Sequence, residues 1–222
     1  MRLTTLSIAL AGAASVHAVG DSAKKIIADL QSIQNLTEAV TGAVNAFNGS
    51  LALALPITVA TNDVLAKISS STEDAKTAQP FSNADATALG PYTQDLAYAV
   101  NSSIAALIGK KREFESGNLS PIVIQSLEGQ KNSSKIFSDT VSMLVPENTR
   151  SVAQALSSQT LESIQQGIDC FSGMNQTCNP TNYFEAKAMA EAAEKAATGG
   201  VGRSAASLGA VVVAGLVAFV TL

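Results

Sequence analysis

Two apolar stripes meet at Ser116-Gly117-Asn118-Leu119-Ser120-Pro121, and that junction constrains the fold more than any other stretch of the chain. Before it, Leu96, Val100, Ile104, Leu107 and Phe114 recur at steps of three, four and seven. After it, Val123, Leu127, Phe137, Val141 and Leu144 recur at helical spacing again. Such steps gather side chains on one face of an α-helix, whereas a half-buried strand would alternate. Gly117 suits the positive φ of a helix C′ position. Ser120-Pro121 reads as a helix start, a hydroxyl to cap free amides followed by a ring pre-set to helical φ. The junction predicts a helical hairpin.

The rest of the chain repeats the pattern. Ala23, Ile26, Leu30, Ile33, Thr37, Val40, Val44 and Phe47 form one stripe, with Lys24, Lys25, Asp29 and Glu38 off it, and Asn48-Gly49-Ser50 ends that helix. Leu51 to Lys76 reads as a helix with an irregular start at Pro56 and a stripe of Ile57, Thr61, Val64 and Ile68. A third helix begins near Asn83 or Asp85, meets Gly90-Pro91, which should bend it or mark its real start, and runs to Gly117; a fourth runs from Pro121 to about Leu144, and Pro146 stops it. A fifth spans about Glu147 to Cys170 through Val152, Leu156, Leu161, Ile164 and Ile168. The expected fold is all-α, an antiparallel bundle of about five amphipathic helices over residues 19–170.

Both ends read as processing signals. Arg2, an apolar run from Leu3 to Ala14 and the small residues around Ala18 make residues 1–18 a secretory signal peptide. At the other end, Leu208 to Leu222 is uncharged and apolar, preceded by a polar spacer and the small residues Ala196-Ala197-Thr198-Gly199-Gly200. That order matches a GPI attachment signal, 198–222, with Ala197 as the attachment residue. The alternative, a tail-anchored helix, would need about 20 apolar residues. Residues 171–197 are then a disulfide loop and an Ala-rich spacer. Cys170 and Cys178 fit the oxidising route that export implies.

Cleaving both ends removes Arg2 and Arg203, leaving 12 of 14 basic residues against 18 acidic ones. A mildly acidic protein with no basic stripe is not expected to bind nucleic acid, and it meets a membrane only through the anchor. The one histidine, His17, lies in the signal peptide. Without imidazole there is no Ser-His-Asp or Cys-His site and no histidine-based zinc site, so neither an enzyme, a metal nor a cofactor is expected. Lys110-Lys111-Arg112 reads either as a dibasic processing site or as cations near a helix C-terminus, and the second is preferred. Asn35, Asn48, Asn101, Asn132 and Asn175 begin glycosylation sequons; Asn118 does too, but Pro121 directly follows its Ser120.

Several stretches in order carry a family resemblance: Val44-Asn45-Ala46-Phe47-Asn48-Gly49, Leu55-Pro56-Ile57, the run Ile104 to Phe114, Leu119-Ser120-Pro121-Ile122-Val123, Leu127-Glu128-Gly129-Gln130-Lys131 and Val145-Pro146. Together they resemble the fungal hydrophobic surface binding protein A family, which includes antigenic cell-wall galactomannoproteins. The resemblance spans about Asp21 to Ile168. It implies a secreted, extracellular helical domain at the cell surface or wall, without catalysis. It further implies a long cavity for a fatty acid in some members, and in others adsorption to hydrophobic surfaces with recruitment of a secreted hydrolase. Polar residues interrupting the stripes, Thr37, Gln130 and Ser134, are candidates to meet a ligand head group, with Phe47, Leu107 and Phe137 as candidate apolar wall. Local hydrogen bonding at the stripe's edge is the alternative role for the three polar residues. A purely structural glycosylated wall protein with a filled core is the alternative function.

Overall fold

In the computed structural model the described residues are 19–173 and Cys178. The chain divides into one compact unit over residues 1–180 and a second over 181–222. Both expected processing signals, Ala197 and Asn175 lie outside the described residues. Among the described residues there are six helices and no strand: α1 (Asp21–Ala46), α2 (Leu51–Thr77), α3 (Asn83–Gly109), α4 (Lys111–Ser116), α5 (Ser120–Leu144) and α6 (Glu147–Phe171). Five of them are the long helices expected from the stripes; α4 is an addition.

The α1 stripe is buried along its whole length, from Ile26, Val44 and Phe47 at 0% exposure to Thr37 at 6%. Asp29, expected off the stripe, is buried too. α1 packs against α2 on one side and α3 on the other, which widens its buried arc beyond one stripe. The Asp29 carboxylate is kept tolerable there by Lys67 of α2 at 2.6 Å. Pro91 lies inside α3 without ending it. Val152, placed on the α6 stripe, is exposed.

The hairpin junction is built differently from the expectation. α3 stops at Gly109, and Lys110 leaves helical geometry with ψ 11°, so its ammonium reaches the Phe47 carbonyl at the end of α1, 2.9 Å away. A cation on terminal carbonyls is the dipole-complementing arrangement. α4 then folds Phe114 inward. Gly117 has φ −85°, and Asn118, at φ +55°, takes the left-handed position instead. Asn118 N–H donates to the Glu115 carbonyl and Leu119 N–H to the Phe114 carbonyl, the paired bonds of a Schellman closure with Asn118 at C′. Ser120 makes no side-chain cap; Leu119 occupies that position, while Pro121 does sit in the first turn of α5.

Consecutive long helices reverse direction, but their packing order is not their chain order. α1 touches α2 and α3, α2 touches α5, α5 touches α6, and α6 touches α3. The five long helices therefore close a ring, α1–α2–α5–α6–α3. Helix axes packed about 9–10 Å apart in a regular pentagon stand about 8 Å from the centre, leaving a channel of about 3 Å radius. Four helices in a square leave about 2 Å, which ordinary side chains fill. A ring of five has a hollow axis unless large residues plug it.

One pole of the ring is plugged by aromatic rings. Phe47 and Phe114 stack at 4.4 Å, and Phe171 meets Phe114 edge-on at 5.9 Å. The Cys170–Cys178 disulfide forms beside them, as expected. At the opposite pole Asp85 accepts hydrogen bonds from Gly20 N–H (2.7 Å), Ser82 Oγ (2.7 Å) and Ser82 N–H (2.9 Å), tying the start of α1 to that of α3. The Gly20 amide first, then Ser82, hold its carboxyl below its ordinary value. A folded-state pKa below the unfolded one gives stability that is complete above the ordinary carboxylate range and lost as pH falls through it. Asp85→Ala is therefore expected to cost about 1–3 kcal/mol at neutral pH. It should also flatten the loss of stability below pH ~4. Urea unfolding of both proteins across that range checks this, and parallel acid limbs would contradict it.

Candidate functional site

The hollow of the ring opens into a cavity of about 730 Å³ near the aromatic pole. That lies within the roughly 300–1,000 Å³ usual for small-molecule sites. On α2 its wall runs from Leu51 to Leu65, about 21 Å at the helical rise. This is the length of an extended long-chain acyl tail. The remaining wall comes from Thr37 and Val40 of α1, Val100 to Leu107 of α3, Phe114 of α4, Leu119 at the turn and Ile122 to Gln130 of α5. No residue of α6 lines it.

The cavity reaches solvent through a slit along the α2–α5 seam. Leu51, Leu55, Thr58 and Asn62, at steps of four, three and four, present one exposed face of α2 to it, and Ile122 and Gln125 of α5 stand opposite. Leu51 and Leu55 are each 67% exposed and Ile122 57%. Large apolar side chains left in water around an apolar cavity mark a place where something apolar binds. By length and composition α2 could cross a membrane, yet little of its apolar stretch is buried.

Of the six residues expected at a ligand, the structure brings Thr37, Leu107 and Gln130 to the cavity wall. The Thr37 hydroxyl donates to the Ile33 carbonyl at 2.8 Å, which leaves its oxygen able to accept. Gln130 spends none of its amide on another described residue. Phe47, Phe137 and Ser134 are not on the wall. Phe47 sits in the aromatic plug; Phe137 belongs to the filled core; Ser134, one turn beyond Gln130, is half-buried outside the cavity. The α2 face of Leu51, Leu55, Thr58 and Asn62 was not expected, nor was Ser103. The signal for the α2 face is present: Leu51 to Asn62 contains no charged residue, and its second stripe is offset from the one that builds the core.

Among the sequons, Asn35, Asn48 and Asn132 are exposed and stand clear of the core. Asn101 is a correction. It is 7% exposed within α3, with its Oδ1 enclosed, because α3 packs on both α1 and α6 and has little free face. A glycan there has no room. Asn118 is exposed but held in the left-handed turn conformation. Among the described residues no cluster of three or more His, Cys, Asp or Glu could hold a metal ion.

A family model described as hydrophobic surface binding protein A matches residues 23–143. Cell wall mannoprotein 1 of Aspergillus fumigatus is 29% identical over 173 residues, covering 77% of this chain and 60% of its own length. Cell wall mannoprotein 1 of Aspergillus flavus is 29% identical over 182 residues, covering 80% and 65%. The chain thus spans less than two thirds of the length of these curated relatives. Two solved structures share the fold. AFMP4P in complex with palmitic acid superposes with a TM-score of 0.65 at 21% identity, over 67% of this chain and 99% of that one. Ligand binding domain 2 of the Penicillium marneffei MP1 protein, complexed with multiple arachidonic acids, does so at 0.66 and 22% identity, over 70% and 99%.

Proposed function

This chain belongs to the hydrophobic surface binding protein A family, and from that premise we propose that its bundle binds a long-chain fatty acid or similar single-chain apolar ligand, without catalysis, at the cell surface or wall. The carrying observation is the long, largely apolar cavity that α1, α2, α3 and α5 enclose within the five-helix ring. Burying an acyl tail there yields about 0.8 kcal/mol for each methylene removed from water. The palmitic and arachidonic acid complexes of the structural relatives support the same ligand class. The exposed rim of Leu51, Leu55, Val59 and Ile122 favours a second mode, adsorption to a hydrophobic surface, and would be the face offered to a secreted hydrolase. Export by a signal peptide cleaved after Ala18, glycans on Asn35, Asn48 and Asn132, and GPI attachment at Ala197 complete the reading.

The test is to express the full chain in a secretory host, purify it without detergent, and combine native mass spectrometry with organic extraction. A fatty acid co-purifying at near-stoichiometric level is the expected result. A folded protein that is empty and takes up no added fatty acid would sink the cavity reading. Retention on hydrophobic beads would then separate a surface binder from a structural wall protein.

A further inference from the structure

Four helices each place an uncharged polar side chain on the inner part of the cavity wall: Thr37 from α1, Thr61 from α2, Ser103 from α3 and Gln130 from α5. Thr37, Thr61 and Gln130 lie nine or ten residues, about 14–15 Å, from the end of their helix at the aromatic pole. Ser103 lies six residues, about 9 Å, from the end of α3. The inner wall nearer that pole is largely apolar, with Leu107, Phe114 and Leu119, while the polar residues at that height, Thr58, Gln125 and Ser126, belong to α2 and α5, the two helices that flank the slit. The cavity therefore has an apolar end and a polar collar. Thr61, Ser103 and Gln130 make no side-chain hydrogen bond to a described residue, and the Thr37 oxygen can still accept.

The collar carries no charge, and neither does any other part of the wall. Charged groups on the surrounding helices are engaged or turned outward. Glu38 of α1, Asp63 of α2, Asp95 of α3 and Glu128 of α5 are exposed. Lys67 pairs with Asp29, Lys131 donates to Gln165 of α6, Lys110 to the Phe47 carbonyl, and Lys111 of α4 pairs with Glu115. An ionised carboxylate drawn into this collar would lose its hydration without gaining a cation, so it would take up a proton instead. A hydroxyl or ester head bears no such cost, and it satisfies polar groups whose neglect costs about 1–3 kcal/mol each.

Resting on the apolar-ligand reading above, we propose that the collar receives an uncharged hydrogen-bonding head, making neutral single-chain lipids such as long-chain alcohols or monoacylglycerols preferred ligands over ionised fatty acids. The apolar tail then runs from the collar toward the aromatic plug, about 14–15 Å away, and its far end emerges through the slit beside Leu51 and Leu55.

Delipidated full-length protein is titrated calorimetrically with hexadecanol and with palmitate, both below their self-association limits. At pH about 8, far above a carboxyl pKa of roughly 4–5, hexadecanol should bind at least about tenfold more tightly. Lowering the pH to about 5 should strengthen palmitate binding and leave hexadecanol binding unchanged, since only the acid titrates there. Gln130→Leu should weaken hexadecanol about tenfold while sparing hexadecane, which has no head. Palmitate binding as tightly as hexadecanol at the higher pH would overturn the proposal and leave the ligand reading intact. So would a selective loss of palmitate in Lys131→Met, which would reveal a cation swinging in. Failure of both lipids to bind would overturn both readings together.

Discussion

Phe47→Ala lowers the free energy of unfolding by about 3–5 kcal/mol, the range for deleting a fully buried aromatic ring. Phe47 has no exposed surface and stacks on Phe114, which in turn meets Phe171. Its removal unsettles the whole plug: α1 ends at it, α4 folds to stack Phe114 on it, and α6 leans Phe171 on that Phe114. It also loosens the carbonyl that Lys110 binds. In a domain of this size each kcal/mol corresponds to roughly 2–4 °C in melting temperature, so a fall of about 10 °C or more is expected. Guanidinium unfolding measures the loss directly. A loss below about 1 kcal/mol would show that the aromatic plug is not what holds this pole together.

Ser103→Phe acts on binding rather than on stability. Ser103 is buried on α3 with its side chain against the cavity, so a phenyl ring there projects into empty space. Denying an acyl tail four methylenes' worth of burial costs about 3 kcal/mol, a hundredfold or more in affinity. The unfolding free energy should change by less than about 1 kcal/mol, because the ring fills a void rather than forcing packed neighbours apart. Ligand affinity and denaturation are measured on the same preparation. Unchanged affinity in a folded variant would show that the ligand does not lie across Ser103.

The helices were legible because burial follows period. Every residue of the α1 stripe is buried, and the capping box of Ser82 and Asp85 stands where a third helix was expected to begin. The site was legible only in part. Thr37, Leu107 and Gln130 face the cavity, yet Phe137 sits at the same helical phase as lining residues and belongs to the filled core instead. Phase says which side of a helix turns inward. It does not say at which height along the axis the interior is full or empty, since that depends on the ring order α1–α2–α5–α6–α3, set by contacts distant in sequence. Asn101 was misplaced for a related reason: α3 is covered on both sides by α1 and α6, which no local pattern reveals. At the turn, Asn118 displaced Gly117 because the Schellman bonds needed one more residue to bring Leu119 back over Phe114.

A helical ring with an unfilled interior ties occupancy to survival. The empty domain forgoes packing that a bound tail would supply, so a ligand at a hundred times its dissociation constant adds about 2.7 kcal/mol of stability. That is enough to change the fraction of opened molecules roughly a hundredfold. Wherever proteases sample opened chains, molecules loaded with the proposed ligand would outlast empty ones. On the proposed function, the surviving population would then record how much lipid the surroundings have offered, with no receptor or signal needed to read it.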